Sequence, residues 1–293
     1  MGATSTQRSG SHGSRRERHS RTAAAAAVLR AIGNRERDPD LRNPDWFAVR
    51  LLGPSLRLLV RVPPLRAATL RTVDWLAPGS YYFLTARTRY IDQILLDEVH
   101  NGVTQVVILG AGADSRAYRF DELAGVTVFE LDHPLTSRWK QDLVRRALGR
   151  LPDHVRYVGV DLGRDSLDDA LAVTDRSAPV AVVWEGVTPY LDRPSVEATL
   201  ASVGRCAPGS SLAFDYYFRS GEPERAAPYL RRLGEPFLSN LTPEEIEPVL
   251  ASHGLDLVSN VLGPELAARH LASKRTVMPY SGVVHARRPA SRS

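Results

Sequence analysis

The chain of 293 residues is 43% hydrophobic, enough for a substantial core in one large domain, and contains no apolar run near the ~20 residues that cross a bilayer. Its net charge of +5 sits at the ends: residues 1–22 contribute +4 and the last seven residues add three arginines, leaving about −2 for residues 23–286, too little to favour a polyanion. The single cysteine, Cys206, excludes an internal disulfide and offers no metal-ligand spacing.

These features suit a cytoplasmic protein, with membrane and nucleic-acid partners disfavoured. Residues 1–22 read as a solvated basic tail without the apolar content to fold, and residues 287–293 as a second one. An alanine-rich helix is predicted from Thr22 to about Ile32, closed by Gly33-Asn34. Apolar-periodic stretches at Leu56–Val60 and Leu65–Leu76 follow, divided by Pro63-Pro64. No strand pattern occurs before residue 86, so residues 23–85 are assigned as a helical cap. Residues 86–100, ARTRYIDQILLDEVH, place Ile91, Ile94, Leu95 and Val99 on one helical face, and Asn101-Gly102 stops them.

A rhythm of strands and helices begins there. Val106–Leu109 is a short apolar run ending in Gly110-Ala111-Gly112, the pattern of a buried parallel strand feeding a tight turn. Val126–Leu131 ends at Asp132, twenty residues beyond Gly112, the spacing at which a nucleotide-binding α/β fold sets an acid against ribose hydroxyls. Further strands are predicted at Val155–Val160, ending at Asp161, at Val180–Trp184, ending at Glu185, and at Ser211–Tyr217. Helices at Pro134–Leu148, Leu167–Val173 and Pro194–Cys206 separate them. Residues 218–242, with glycines and prolines among charged and aromatic residues, read as a lid insertion. Thr242-Pro243-Glu244-Glu245 opens a helix with a capping box, and Leu255–Val261 and Val277–His285 are the last strands, the second assigned to a sheet edge. The alternation predicts an α/β fold: a doubly wound, mostly parallel seven-stranded sheet of Rossmann-like type, within a single domain over 23–286 whose core is 86–217 and whose sheet is completed by 243–286. Such sheets bind ligands outside the carboxyl ends of their strands, where Asp132, Asp161 and Glu185 all fall.

Five stretches now stand in order: ARTRYID (86–92), QVVILGAGADSRAYR (105–119), VFELDHP (128–134), VGVDL (158–162) and WEGVTPYL (184–191). Together they resemble the leucine carboxyl methyltransferase family, including its bacterial polyketide-synthesis O-methyltransferase branch. The resemblance covers roughly residues 80–217, and departs at Ser115, where the family usually has threonine; both supply a hydroxyl. It implies a class I methyltransferase that uses S-adenosylmethionine. By that resemblance Arg87 pairs with the methionine carboxylate through its planar two-donor fork. Gly110, Ala111 and Gly112 let the backbone approach the methionyl and ribose portion, and Asp132 accepts from the ribose hydroxyls. Asp161 and Leu162 hold adenine, and Glu185 lies near the methionyl ammonium. Plainer readings stand beside these: a surface arginine, an ordinary turn, a helix-capping Asp161 and a strand-end Glu185. Glu130 competes with Asp132, but strand alternation sets it two residues deeper on the same face.

The acceptor is less legible. A carboxylate is already ionised at neutral pH, whereas a phenol with a pKa near ~10 benefits from a base. No base is tied to the motifs, and the resembling enzymes often methylate carboxylates, so the resemblance implies O-methylation of a small-molecule carboxylate, with a phenol or amine of a natural product as the alternative. Tyr190 and His133 are the catalytic candidates; Tyr82, Tyr190 and Tyr217 are candidates for the acceptor side, with Tyr81 and Trp46 behind them, and packing competes with that role for each. Three other classes share some of these features. A nicotinamide dehydrogenase shares the glycine turn but wants Gly or Ala where Ser115 stands. A nucleic-acid methyltransferase is suggested only by the basic tail, and a binding module without chemistry would keep the same pocket. No sequence pattern specifies an oligomer.

Overall fold

The computed structural model describes residues 10–161, 165–218, 225–228, 231, 237–238 and 241–290, with side chains from Thr22 onward. Leu162 and most of the expected lid insertion lie outside the described residues. In chain order the elements are helix α1 (Gly10–Gly33), α2 (Pro54–Arg61), α3 (Pro63–Leu76) and α4 (Ser80–His100), then strand β1 (Gln105–Leu109), α5 (Arg116–Arg119), β2 (Thr127–Asp132), α6 (Pro134–Leu148), β3 (Val155–Gly159), α7 (Leu167–Leu171), β4 (Ala181–Trp184), α8 (Arg193–Gly204) and β5 (Ser211–Tyr217). Helix α9 (Pro243–Ser252), β6 (Asp256–Leu262), α10 (Gly263–His270) and β7 (Ser281–Arg287) complete it. Among the described residues no helix is long and apolar enough to cross a membrane.

The seven strands form one sheet in the order β3-β2-β1-β4-β5-β7-β6. Pairs from β3 through β5 are parallel, and β7 alone runs against its neighbours β5 and β6. Strand β1 is buried along its whole length because helices cover both faces. Its alternation divides the core: Val106 and Ile108 pack with Ile91 and Leu95 of α4 on one side, while Val107 and Leu109 pack with Val196 and Leu200 of α8 on the other. The sheet is thus the middle layer of three, and every parallel strand delivers its carboxyl end to the same rim.

The cap is seated on that rim. Ala27, Val28, Ala31 and Ile32 of α1 pack with Leu52, Val60 and Tyr81, and with Ala113 just past the glycine turn. Helix α1 begins at Gly10, inside the segment expected to be an unfolded tail. No proline interrupts Gly10–Gly33, and extending a nucleated helix costs far less than starting one.

Two further expectations are corrected. The last strand is not an edge: β7 is inserted between β5 and β6, with Val283, Val284 and Ala286 fully buried, and β6 forms the edge. Of the polar residues in the span read as that strand, His285 pairs with the buried Glu98 of α4, as does Arg287 just beyond it. Val277 and Met278, expected in that strand, are buried in the core ahead of it. Helix α10, with Pro264 in its first turn, lies between β6 and β7.

Candidate functional site

The glycine turn follows directly from β1. Gly110 and Gly112 have φ of +62° and +38°, a region that side-chain-bearing residues avoid. A Cβ on Gly110 would come within 2.5 Å of Val187 Cγ2, and one on Gly112 within 3.1 Å of Ala23 Cβ in α1. The turn is therefore closed in by the β4 loop on one side and by the cap on the other. The Ala111 N–H donates to Leu131 O at 3.1 Å, and the Gly112 N–H donates to Asp132 Oδ2 at 2.6 Å. The other Asp132 oxygen accepts from the His133 N–H at 2.7 Å. Asp132 thus ends β2 with its carboxylate against the turn. Asp161 lies beside it, because β3 pairs Gly159 with Asp132 and the Val160 N–H donates to Asp132 O at 2.9 Å. Asp161 does not cap the following helix; Ser166 does.

Arg87 reaches the same rim from α4. It is 6% exposed, with Nε 2.9 Å from Glu185 Oε1 and Nη1 2.6 Å from Asp215 Oδ2. The surface-arginine reading is excluded. Asp215 also accepts from the Gly186 N–H at 2.6 Å, so it fixes both the arginine and the turn after β4. Glu185 is shared further: its second oxygen pairs with Arg116 of α5. Arg116 also pairs with Asp114 and, through Nε at 2.8 Å, with Asp92, which holds Arg119 as well. The Ser115 hydroxyl donates to Asp45 at 2.6 Å, and Asp45 holds Arg30 of α1 at 2.8 Å. Arg30 in turn donates to Ala113 O at 2.6 Å, just beyond the glycine turn. Between Arg30, Ser115, Arg116, Arg119 and Glu185 lies a void of about 10 Å³, room for about one water.

Four guanidinium groups (Arg30, Arg87, Arg116, Arg119) thus meet five carboxylates (Asp45, Asp92, Asp114, Glu185, Asp215), all nearly out of water. Fully ionised, the cluster carries one negative charge in excess. Burial pushes Asp92 and Asp215 upward from the usual carboxylate range despite the arginines beside them. Burial also pushes on Glu185, but Arg116, Arg87 and Arg30 together outweigh it and hold that carboxyl well below the usual range. Arg116 and Arg87 stay firmly protonated, since their carboxylate partners overcome the cost of burial. A buried ionic cluster is weak evidence for stability, because desolvation offsets its Coulomb gain. What it does is fix the relative positions of α1, α4, α5 and the β4 loop.

The sequence did not single out Asp215, Asp92, Arg116 or Arg119. The last three sit within the quoted motifs, and their pairing depends on α4 and α5 facing each other. Asp215 had a direct signal: it is an acid in the middle of the strand SLAFDYY.

The acceptor-side candidates separate. Tyr217 of β5 and Tyr190 after β4 meet through Phe237, whose ring centroid lies 5.0 Å from the first and 5.4 Å from the second. A bond from the Leu238 N–H to Pro189 O at 2.7 Å ties this pair of residues to the β4 loop. Phe83 of α4 joins Tyr217 at 5.9 Å and lies beneath the Arg87 guanidinium. Burial raises the Tyr217 phenol well above its ordinary pKa. Tyr82 faces elsewhere: its ring lies edge-on to Tyr81 at 4.8 Å and its hydroxyl accepts from Arg275 at 3.1 Å. Tyr81 donates to Glu36, and Trp46 packs on Phe47 at a surface 46% exposed. His133 caps α6, its Nδ1 accepting from the Leu135 N–H at 3.3 Å.

A cationic nucleoside is matched by the donor set seen here. A cluster with more carboxyl groups than guanidiniums lies beside a turn that only glycine fits and a rim carboxylate aimed at that turn. Comparison with known proteins points the same way. The family model described as leucine carboxyl methyltransferase matches residues 23–204. A protein of Parafrankia sp. strain EAN1pec, provisionally named an S-adenosyl-L-methionine-dependent methyltransferase, is 38% identical over 199 residues, covering 67% of this chain. The match spans 62% of that relative's own length. A similarly named protein of Mycobacteroides abscessus is 35% identical over 212 residues, 70% of this chain and 67% of the relative. Among solved structures, a provisionally named methyltransferase from Thermobifida fusca shares the fold at a TM-score of 0.59 and 19% identity, covering 90% of this chain and 94% of its own. A DUF574-family protein from Streptomyces avermitilis does so at 0.60 and 16%, covering 90% and 97%.

Proposed function

The chain belongs to the leucine carboxyl methyltransferase family, and on that premise we propose that it is an S-adenosylmethionine-dependent O-methyltransferase acting on a small-molecule carboxylate, such as one in a secondary metabolite. The observation that carries this reading is the Arg87–Glu185 pair beside the glycine turn and Asp132. It sets a guanidinium and a carboxylate side by side, the complement of an amino-acid zwitterion, next to a carboxylate suited to a ribose.

In this reading Arg87 takes the methionyl carboxylate, Glu185 its ammonium and Asp132 the ribose hydroxyls; Asp161 and Leu162 serve the adenine, and the 110–112 backbone lies along the nucleoside. The cofactor supplies a methyl group on a positively charged sulfur and leaves as a neutral thioether. The chain's own work is to hold the acceptor oxygen in line and to keep the site dry, a contribution worth up to ~7–11 kcal/mol. A carboxylate acceptor is supported by what the side chains are doing. His133 is engaged in capping, burial keeps the Tyr217 phenol protonated, Glu185 and Asp215 are bound to arginines, and Asp132 accepts from two backbone N–H groups. An acceptor ionised at neutral pH needs no base from this set. Tyr190, Tyr217 and Phe237 form the apolar wall suited to the acceptor's body, whereas Tyr82 is turned to Arg275. A cytoplasmic location belongs to the same reading and is supported by the lone unpaired Cys206.

Methyl-labelled S-adenosylmethionine, presented with a panel of carboxylic acids and phenols, tests the proposal. Label transferred to an acid and released by mild alkali identifies an ester. Label that survives alkali would instead favour the phenol or amine alternative, and no transfer to any acceptor would favour a binding module.

A further inference from the structure

The chain has two lysines against 36 arginines, so a lysine in its interior calls for a reason. Lys140 on α6 is 1% exposed. Its ammonium lies 2.8 Å from Glu130 Oε1 on β2, donates to Ala111 O at 3.1 Å, and sits 5.6 Å from the centre of the Tyr118 ring. Three donors therefore meet a carboxylate, a carbonyl and a π face, which satisfies a compact ammonium in full. A planar guanidinium carries five donors in a rigid fork, a different geometry from the three of a compact ammonium. Glu130 is held in turn by the Tyr118 hydroxyl at 2.8 Å, and Tyr118 meets the Tyr157 hydroxyl at 3.1 Å.

Ala111 is the middle residue of the glycine turn. Its N–H is bonded to Leu131 O on β2, the next N–H to Asp132, and its carbonyl accepts from both the Asp114 N–H at 2.7 Å and Lys140. We infer that Lys140 is a positioning residue for the cofactor: together with the Asp114 N–H it holds the Ala111 carbonyl, and it ties to α6 and Glu130 the peptide joining Ala111 to the Gly112 N–H that meets Asp132. Glu130, the rejected competitor for the ribose, is the anchor of that lysine. The inference rests on the functional reading above and adds to it a residue that does not itself touch the nucleoside.

The test uses the full chain, titrated calorimetrically with S-adenosylmethionine, with urea unfolding and steady-state kinetics on the same samples. Lys140→Met strands a buried carboxylate and destabilises the fold; Lys140→Met with Glu130→Gln removes that charge and recovers stability. The expected result is that the recovered double variant still binds the cofactor at least about tenfold more weakly, the loss of one charged hydrogen bond. The KM for cofactor should rise in step, and kcat at saturation should change far less. Wild-type affinity in the folded double variant would overturn the inference. If that variant does not fold, Lys140→Arg, which keeps the charge, decides: tenfold weaker binding supports the role and unchanged affinity overturns it. A wild-type chain that ignores S-adenosylmethionine would overturn the functional reading and this inference together, whereas wild-type binding with indifferent variants overturns the inference alone.

Discussion

Arg87 is held between Glu185 and Asp215, and its removal would leave two carboxylates facing each other out of water. Breaking a buried pair from one side costs about 3–5 kcal/mol, mostly the cost of the stranded charge. Arg87→Met is expected to lose stability of that order in urea titrations, and adding Asp215→Asn should restore part of it without restoring cofactor binding. Glu185 gives a pH signature. Its carboxyl titrates lower in the folded chain than its ordinary value of 4.5, because three arginines outweigh burial. A group shifted that way adds stability above its unfolded pKa, and the contribution fades as pH falls toward the folded value. The stability gap between the wild type and Glu185→Gln should therefore be constant above about pH 5 and shrink steadily below about 4.5. A gap that does not change down to about pH 2.5 would show that Glu185 is not held ionised. The two residues differ from Asp215 in how they could be read. Arg87 and Glu185 stand in motifs whose order is recognisable. Asp215 interrupts an apolar strand, and only the packing of α4 against β5 shows which cation it answers.

Elements built from local chemistry were the most legible. Helix α6 runs from Pro134 to Leu148 as read, because proline fits its first turn and Gly149 closes it in the left-handed region at φ +79°. Strand β5 also has the predicted limits. In α9 the capping box is in place, with Glu245 accepting from the Thr242 N–H at 2.9 Å. Thr242→Ala should cost about 1 kcal/mol and lower the melting temperature by about 2–4 °C, with cofactor affinity unaltered. A loss many times larger would mean that Thr242 does more than cap. The region from β6 to β7 was misread because its order in space differs from its order in sequence. The final strand is inserted inside the sheet, so its His285 answers to Glu98 of α4. Periodicity reports a face, but not which neighbour will cover it.

At the scale of the molecule, the cap and the sheet are joined at the rim where the proposed cofactor lies. Ala23 closes over Gly112, Arg30 bonds Ala113 and Asp45, and Ser115 bonds Asp45. A ligand seated there would brace both parts, so stabilisation by mass action should reach the whole chain. At a hundredfold excess over Kd, S-adenosylmethionine should add about 2.7 kcal/mol. Far-ultraviolet and tryptophan signals should still unfold together, since the cap's residues share the buried network. A cap that melts first, with no change on adding the cofactor, would deny that coupling.

Separate carboxylates and one guanidinium meeting on the sheet rim should hold a sulfonium nucleoside, and calorimetric titration of the full chain with S-adenosylmethionine, repeated on Asp132→Asn, decides whether they do. The expected result is one-to-one binding by the wild type, none of nicotinamide dinucleotides, and at least about tenfold weaker binding by the variant. No uptake by the wild type, or equal affinity in Asp132→Asn, would contradict it.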